Sequence, residues 1–152
     1  MASERFKEII AADLWKNARF FRVKPGNLVQ WGIPGKPEVM KEWSQRHIKD
    51  ENRTESNTRG TISFAFAEGD RLRNTQVFIN LADNLEYDGF NLVPFGKVVS
   101  GMENTVDQIY SGDGDAPIQE NIVSEGNRYL KKAFPRLSYI ISTKLLGGVW
   151  EL

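Results

Sequence analysis

The stretch ARFFRVKPGNLVQWG, residues 18–32, decides the fold. Two short apolar runs flank Pro25-Gly26, which reads as strand, turn and strand, a β-hairpin. Arg22 and Gln30 sit inside those runs, one on each side of the turn, where a strand ordinarily carries Val or Ile. The bland reading pairs Arg22 with a carboxylate and turns the glutamine to solvent. The sharper one is a shallow apolar groove that carries hydrogen-bonding groups, a design suited to a peptide.

Outward from the hairpin, residues 60–67 (GTISFAFA) alternate as a strand and residues 76–81 (QVFINL) make another, joined by EGDRLRN. Residues 95–99 (FGKVV) read as a further strand and residues 137–146 (LSYIISTKLL) as a final buried one, which sets six strands as a lower bound. Helices are expected at 4–10, capped by Ser3 with Phe6, Ile9 and Ile10 on one face, and at 103–110, with Met102, Val106, Ile109 and Tyr110 together. Another is expected at 124–134, capped by Ser124 and ended by Pro135. The polar connection 32–59 is long, with one helical turn marked by Val39, Met40 and Trp43. Many short strands with helices at the ends favour a closed antiparallel β-barrel over an α/β sheet.

The chain has 152 residues, the size of one domain spanning 1–152, with 20 basic and 20 acidic side chains. No overall field therefore attracts nucleic acid or an anionic membrane. There is no apolar run of the roughly 18 residues a bilayer-spanning helix needs. Acidic residues at Glu4, Glu8 and Asp13 argue against a secretory signal, so the cytoplasm is the expected location. Cysteine is absent and His47 is the single histidine, so histidine triads and thiolate or histidine metal sites lack parts. Asp113, Asp115 and Glu120 lack the ligand ladder of a calcium loop, and Gly112 and Gly114 form no phosphate-binding motif. No metal and no cofactor are expected. Arg22, Gln30 and Gln76 remain as polar groups within apolar strands, with Phe78 on the same strand face as Gln76.

Taken in order, these stretches resemble the cyclophilin family of peptidyl-prolyl cis-trans isomerases. FFRVKPGNLVQWG is similar to the family's F-H-R-V-x-P-G-F-M-x-Q-G-G, RGTISFAFA to R-G-x-x-S-M-A-N-A, and TQVFINL to S-Q-F-F-I-T. LEYDGFNLVPFGKVVSGME resembles L-D-x-x-H-x-V-F-G-x-V-x-x-G-M, so the likeness covers residues 5–110. It implies a mainly β fold, a cyclophilin-like antiparallel barrel with flanking helices, and proline-containing peptides or flexible protein segments as partners. Arg22 takes the position of the family's catalytic arginine, with Gln30 beside it, and Gln76 matches the second groove glutamine. Phe78 would floor the proline pocket, Leu28 would line it, and Ala65, Phe66 and Ala67 would border the peptide.

The implied chemistry explains the polar residues in the strands. Rotating an X-Pro bond meets a barrier of about 18–20 kcal/mol set by amide resonance. A guanidinium that donates to the prolyl nitrogen as it pyramidalises binds only the twisted state, and such selective binding lowers a barrier. A proline-peptide-binding module of the same fold without turnover is the alternative, and a degenerate barrel without peptide activity a third.

The sequence also departs from the family. Asn27 stands where the family has phenylalanine and Phe66 where it has the groove asparagine, and Pro94 is an added residue. The family's tryptophan and histidine become Glu86 or Tyr87 and Asn91, so Tyr87 and Asn91 are the expected groove residues there. Loss of that tryptophan implies weakened binding of cyclosporin. The chain starts almost at the helix that follows a strand pair in the family, so an incomplete or open barrel is expected. Residues 147–152 (GGVWEL) are one candidate to fill the gap, and an exposed edge free to pair is the other outcome.

Overall fold

The computed structural model describes residues 1–66 and 72–146. The hairpin forms as the sequence predicts. Strand β1 (Arg22–Lys24) pairs antiparallel with β2 (Leu28–Trp31) across a turn in which Asn27 N donates to Lys24 O at 2.9 Å. Pro25 fixes φ at the second turn position and Gly26, at φ 70°, takes the third, the requirement of a type II turn. Strands β3 (Thr61–Phe64), β4 (Val77–Asn80) and β5 (Pro94–Lys97) complete an antiparallel sheet of order β1-β2-β4-β3-β5.

Register sorts the side chains. Arg22, Gln30, Phe78 and Ser63 are successive cross-strand partners and share one face. Val23, Val29, Ile79 and Ile62 form the neighbouring row, which points to the other face. On that apolar face lies helix α1 (Ala2–Ala11), whose Ile9 and Ile10 are buried with Trp15, Trp31, Phe64, Val77 and Ile79. The Trp15 indole N–H donates to Thr75 O at 3.2 Å, which gives this fully buried ring its polar partner. Ser3 lies inside the helix rather than capping it, with Met1 at the cap position.

Helix α2 (Pro37–Trp43) buries Met40 and Trp43, as the pattern in the long connection predicts. Beside it pack α3 (Gln119–Glu125) and α4 (Asn127–Ala133), which close a second core of Phe21, Ile33, Met40, Ile122, Leu130 and Leu137. The single helix expected over 124–134 is broken at Gly126, whose φ of 62° with ψ of −142° is a combination that essentially only glycine adopts. A Cβ there would stand 2.2 Å from Gly35 O, so close backbone approach also demands glycine. Ser124 consequently falls within α3.

Two further expectations are corrected. The helix over 103–110 is reduced to a 3-10 turn, Val106–Gln108, because the β-branched Thr105-Val106 pair opposes helix while Val106 and Ile109 pack against Val23, Val29 and Leu81. The buried strand over 137–146 is also absent. Phe20 N donates to Ser138 O at 3.0 Å and Ile140 N to Ala18 O at 3.0 Å, around one bridge between Arg19 and Tyr139. Beyond it no ladder forms among the described residues, and Ile141 is 74% exposed. The sheet therefore has five strands among the described residues, not six, and it is open, as the departures from the family pattern led one to expect. Residues 147–152, named to fill the gap, lie outside the described residues. Among the described residues no helix is long and apolar enough to cross a membrane.

Candidate active site

On the polar-bearing face the side chains of β1, β2 and the residue before β4 make a directed chain. Arg22 Nη1 donates to Gln30 Oε1 at 3.1 Å, and Gln30 Nε2 donates to Gln76 Oε1 at 2.9 Å. Both glutamines are buried and Arg22 is half-buried. Among the described residues Arg22 forms no ion pair, so the carboxylate expected by the bland reading is replaced by an amide. A guanidinium held by one neutral acceptor keeps its charge and most of its five donors for another ligand.

Beside this chain lies a buried apolar cluster. Leu28, Ala65 and Phe78 form one buried cluster, with Tyr87 and Leu92 packed against it. The Tyr87 ring meets Phe78 edge-on, at 90° and 5.8 Å between centroids. Tyr87 sits on a 3-10 helix, Leu85–Phe90, and its hydroxyl donates to Asn27 Oδ1 at 2.7 Å. On the other side of Arg22 a cleft of about 310 Å³ is lined by Phe21, Asp115, Pro117 and Gln119. Arg22 thus stands at the edge of this cleft, with Leu28 and Phe78 of the apolar cluster in the same sheet. A larger cleft of about 990 Å³, between α2, α4 and the segment 12–17 that follows α1, shares no residue with this site.

The loop that carries Tyr87 is anchored by buried amides. Asn57, fully buried, donates from Nδ2 to Asp88 Oδ1 and to Leu92 O, each at 2.7 Å. Its Oδ1 accepts from Ser63 Oγ at 3.0 Å and Asn80 Nδ2 at 3.1 Å. Asn84 Nδ2 donates to Asn80 Oδ1 at 2.8 Å and Asn27 O at 2.9 Å. All four hydrogen-bonding positions of the Asn57 amide are satisfied, which is what makes so polar a cluster tolerable without water.

Asp88 ends the network. Burial pushes its carboxyl up, but hydrogen bonds from the Asn57 side chain and backbone N–H and from Ser56, with the Arg53 charge, outweigh this and hold it below the usual 3.8. Because the folded pKa is depressed, ionised Asp88 stabilises the fold above the unfolded value, and the contribution is lost as pH falls through the folded one. The stability advantage of wild type over Asp88→Asn is therefore expected to shrink between about pH 5 and about pH 2 in urea titrations. A gap that is constant across that range would contradict the assignment.

Of the residues singled out in the sequence, Arg22, Gln30, Gln76, Leu28, Ala65, Phe78 and Tyr87 come together. Phe66 stands outside the cluster, with the Arg73 guanidinium 5.9 Å from its ring. Asn91 is exposed and ends the 3-10 helix at φ 59°, a left-handed position asparagine tolerates, so the structure gives it a capping role in the backbone. Ala67 lies outside the described residues. Sequence reasoning missed Asn27, Asn57, Ser63, Asn80, Asn84, Asp88 and Leu92. Asn80 carried a signal, since it lies two residues beyond Phe78 and so on the same face.

The class is that of an open antiparallel sheet with flanking helices that carries a guanidinium–amide chain next to a buried aromatic cluster. Comparison with known proteins gives the family. Residues 1–126 match the family described as cyclophilin type peptidyl-prolyl cis-trans isomerase/CLD, and the chain belongs to it. It is 36% identical over 106 residues to peptidyl-prolyl cis-trans isomerase A of Dickeya dadantii, covering 66% of this chain and 55% of that one. With peptidyl-prolyl cis-trans isomerase B of Escherichia coli the identity is 32% over 114 residues, covering 70% and 68%. The chain thus spans little more than half the length of the first of these relatives. Among solved structures, a cyclophilin type peptidyl-prolyl cis-trans isomerase of Cryptosporidium parvum, crystallised in the presence of the dipeptide Ala-Pro, superposes with a TM-score of 0.59. Its identity is 25%, over 77% of each chain.

Proposed function

We propose that this chain accelerates cis-trans isomerisation of X-Pro bonds in peptides and flexible protein segments. The observation that carries the reading is the Arg22–Gln30–Gln76 chain, fixed beside the Phe78 cluster. In this reading the pyrrolidine ring lies against Phe78 and Leu28, Ala65 borders the peptide, and Gln30 holds the guanidinium at the prolyl nitrogen. As the amide twists, its nitrogen loses conjugation and gains a lone pair, which a positioned N–H donor stabilises selectively. Gln76 acts through Gln30 as a positioning residue. Membership of the family and the solved relative crystallised with Ala-Pro support the choice of proline peptides. Cyclosporin is a weak ligand in this reading, because Tyr87 replaces the larger indole.

The test is two-dimensional exchange NMR on an Ala-Pro peptide with catalytic amounts of protein. Exchange cross-peaks that build up faster in its presence support the isomerase. A folded protein that binds the peptide without speeding exchange would leave the second reading, a proline-peptide-binding module. The 2% exposure of Phe78 leaves a proline ring little open surface to meet and favours instead the third reading, a degenerate fold without peptide activity.

A further inference from the structure

The cleft of about 990 Å³ is built by segments that the Arg22 site does not use. One wall is α2 with the chain on either side of it, another is residues 12–17, and the third is α4. Helix α4 starts at Asn127, just beyond the residues 1–126 that match the family, so one wall comes from outside the matched region. Asn127 ties the walls together. Its backbone N donates to Gly35 O at 2.9 Å and its Nδ2 to Asn17 O at 3.0 Å, so the cleft is in place before a ligand arrives.

The lining has two components. Leu14, Pro34 and Trp43 are buried and apolar. The charged side chains are four cations, Lys16, Lys36, Arg46 and Lys131, against two carboxylates, Asp13 and Glu42. The chain as a whole is balanced at 20 basic and 20 acidic residues, so this excess is local. Lys16, Lys36 and Lys131 are exposed and enter no ion pair among the described residues. Arg46 stands 3.7 Å from Glu8, and its guanidinium lies over the Trp43 ring at 3.8 Å, which leaves donors at its edge for a second partner.

We propose that this cleft is a second binding site, for an acidic, extended segment of a partner protein. The proposal goes beyond isomerisation and does not rest on the groove reading. A peptide fits better than a compact anion because of where the cations stand. A phosphate is held by donors that converge on one point, typically backbone N–H groups. Here the four cations come from four stretches of chain and all are exposed, so they suit carboxylates that are themselves spaced along a chain. The apolar lining offers contact to an aliphatic side chain between those carboxylates. The volume, at the upper end of the roughly 300–1,000 Å³ of ligand pockets, has room for several residues.

The test titrates the nitrogen-15-labelled chain with acetyl-Glu-Glu-Leu-Glu-Glu-amide, which has no proline to present to the groove, and follows the backbone amides by NMR. Shifts are expected at Lys16, Asn17, Gly35, Lys36 and Asn127 and none at Arg22, Gln30 or Phe78. The same peptide with Gln for every Glu should bind at least tenfold more weakly. Raising NaCl from about 50 mM to about 500 mM should weaken the acidic peptide severalfold, because exposed charges are screened. The double variant Lys36→Gln, Lys131→Gln should lose about fivefold in affinity, the loss of two exposed ion pairs. Lys49→Gln with Lys97→Gln makes the same change in net charge at exposed positions outside the cleft and should lose nothing, with circular dichroism as the check on folding in both. No shift in the cleft, equal binding of the Gln peptide, or an equal loss in the two double variants would each overturn the proposal. So would inorganic pyrophosphate moving the same amides at lower concentration than the peptide, which would make the cleft a small-anion site. Shifts confined to Arg22, Gln30 and Phe78 would place the peptide in the groove and overturn the second site while leaving the isomerase standing. A protein that takes the acidic peptide in the cleft but does not speed X-Pro exchange supports the second site and refutes the isomerase.

Discussion

Replacing Arg22 with alanine is expected to lower kcat/KM for an Ala-Pro peptide about a hundredfold, the usual loss when one preorganised donor to a developing charge is removed. The effect should fall on kcat more than on KM. In the proposed reading ring binding belongs to Phe78 and Leu28, whereas the guanidinium meets its acceptor only when the amide nitrogen pyramidalises. The fold should survive, because Arg22 is half-buried and its hydrogen bond within the described residues goes to Gln30. The substitution leaves Gln30 Oε1 without its donor, at a cost of about 1–2 kcal/mol, and water can reach the vacated space. Arg22→Lys should recover only a small part of the activity, since an ammonium cannot hold Gln30 and point a second donor along a fixed plane. Exchange NMR on both variants, with circular dichroism as the check on folding, measures this. A folded Arg22→Ala protein with wild-type turnover would remove the guanidinium from the mechanism.

The half of the site that lay in the hairpin was legible because it is a matter of period and register. A polar residue inside an apolar strand is visible in one dimension, and a two-residue alternation places Gln76 with Phe78 before any coordinates are known. Once β1, β2 and β4 are aligned, Arg22, Gln30 and Phe78 fall on one row. The anchoring half was hidden because it is assembled across long sequence separations. Asn57 sits in a stretch dense with Asn, Arg, Glu and Ser that reads as a solvated loop, and its burial depends on partners 23 to 35 residues away. Similarly, the one helix expected over 124–134 runs through Gly126 and leaves out most of α3, and only the approach of Gly35 reveals the break. The segment after Leu137 misled for a related reason. β-branched and aromatic residues give it strand propensity, but a strand is made by its neighbours, and past Ile140 none is present among the described residues.

Asn57→Ala is expected to destabilise the protein by about 3 kcal/mol or more, a larger loss than the removal of any exposed side chain. The methyl group would leave the fully buried Ser63 Oγ and one Asn80 donor without their acceptor, and would strip donors from Leu92 O and Asp88 Oδ1, which are partly buried. For a chain of this size that corresponds to a fall in Tm of roughly 10 °C. The loss should be accompanied by weaker peptide binding, because the same bonds fix the loop that presents Tyr87 and Leu92 to the Phe78 cluster. Asn57→Asp separates network from volume. It preserves shape and one acceptor, but it sets a carboxylate within 2.7 Å of the position of Asp88 Oδ1, where two negative charges repel. That variant should be the less stable of the two near neutral pH and should recover as acid allows the pair to share a proton. Thermal melts of both variants from about pH 7 to about pH 4 decide the matter. If Asn57→Asp shows no recovery in acid, the Asn57–Asp88 contact is not what anchors the loop, and the cluster must be held by the apolar packing of Tyr87 and Leu92 alone.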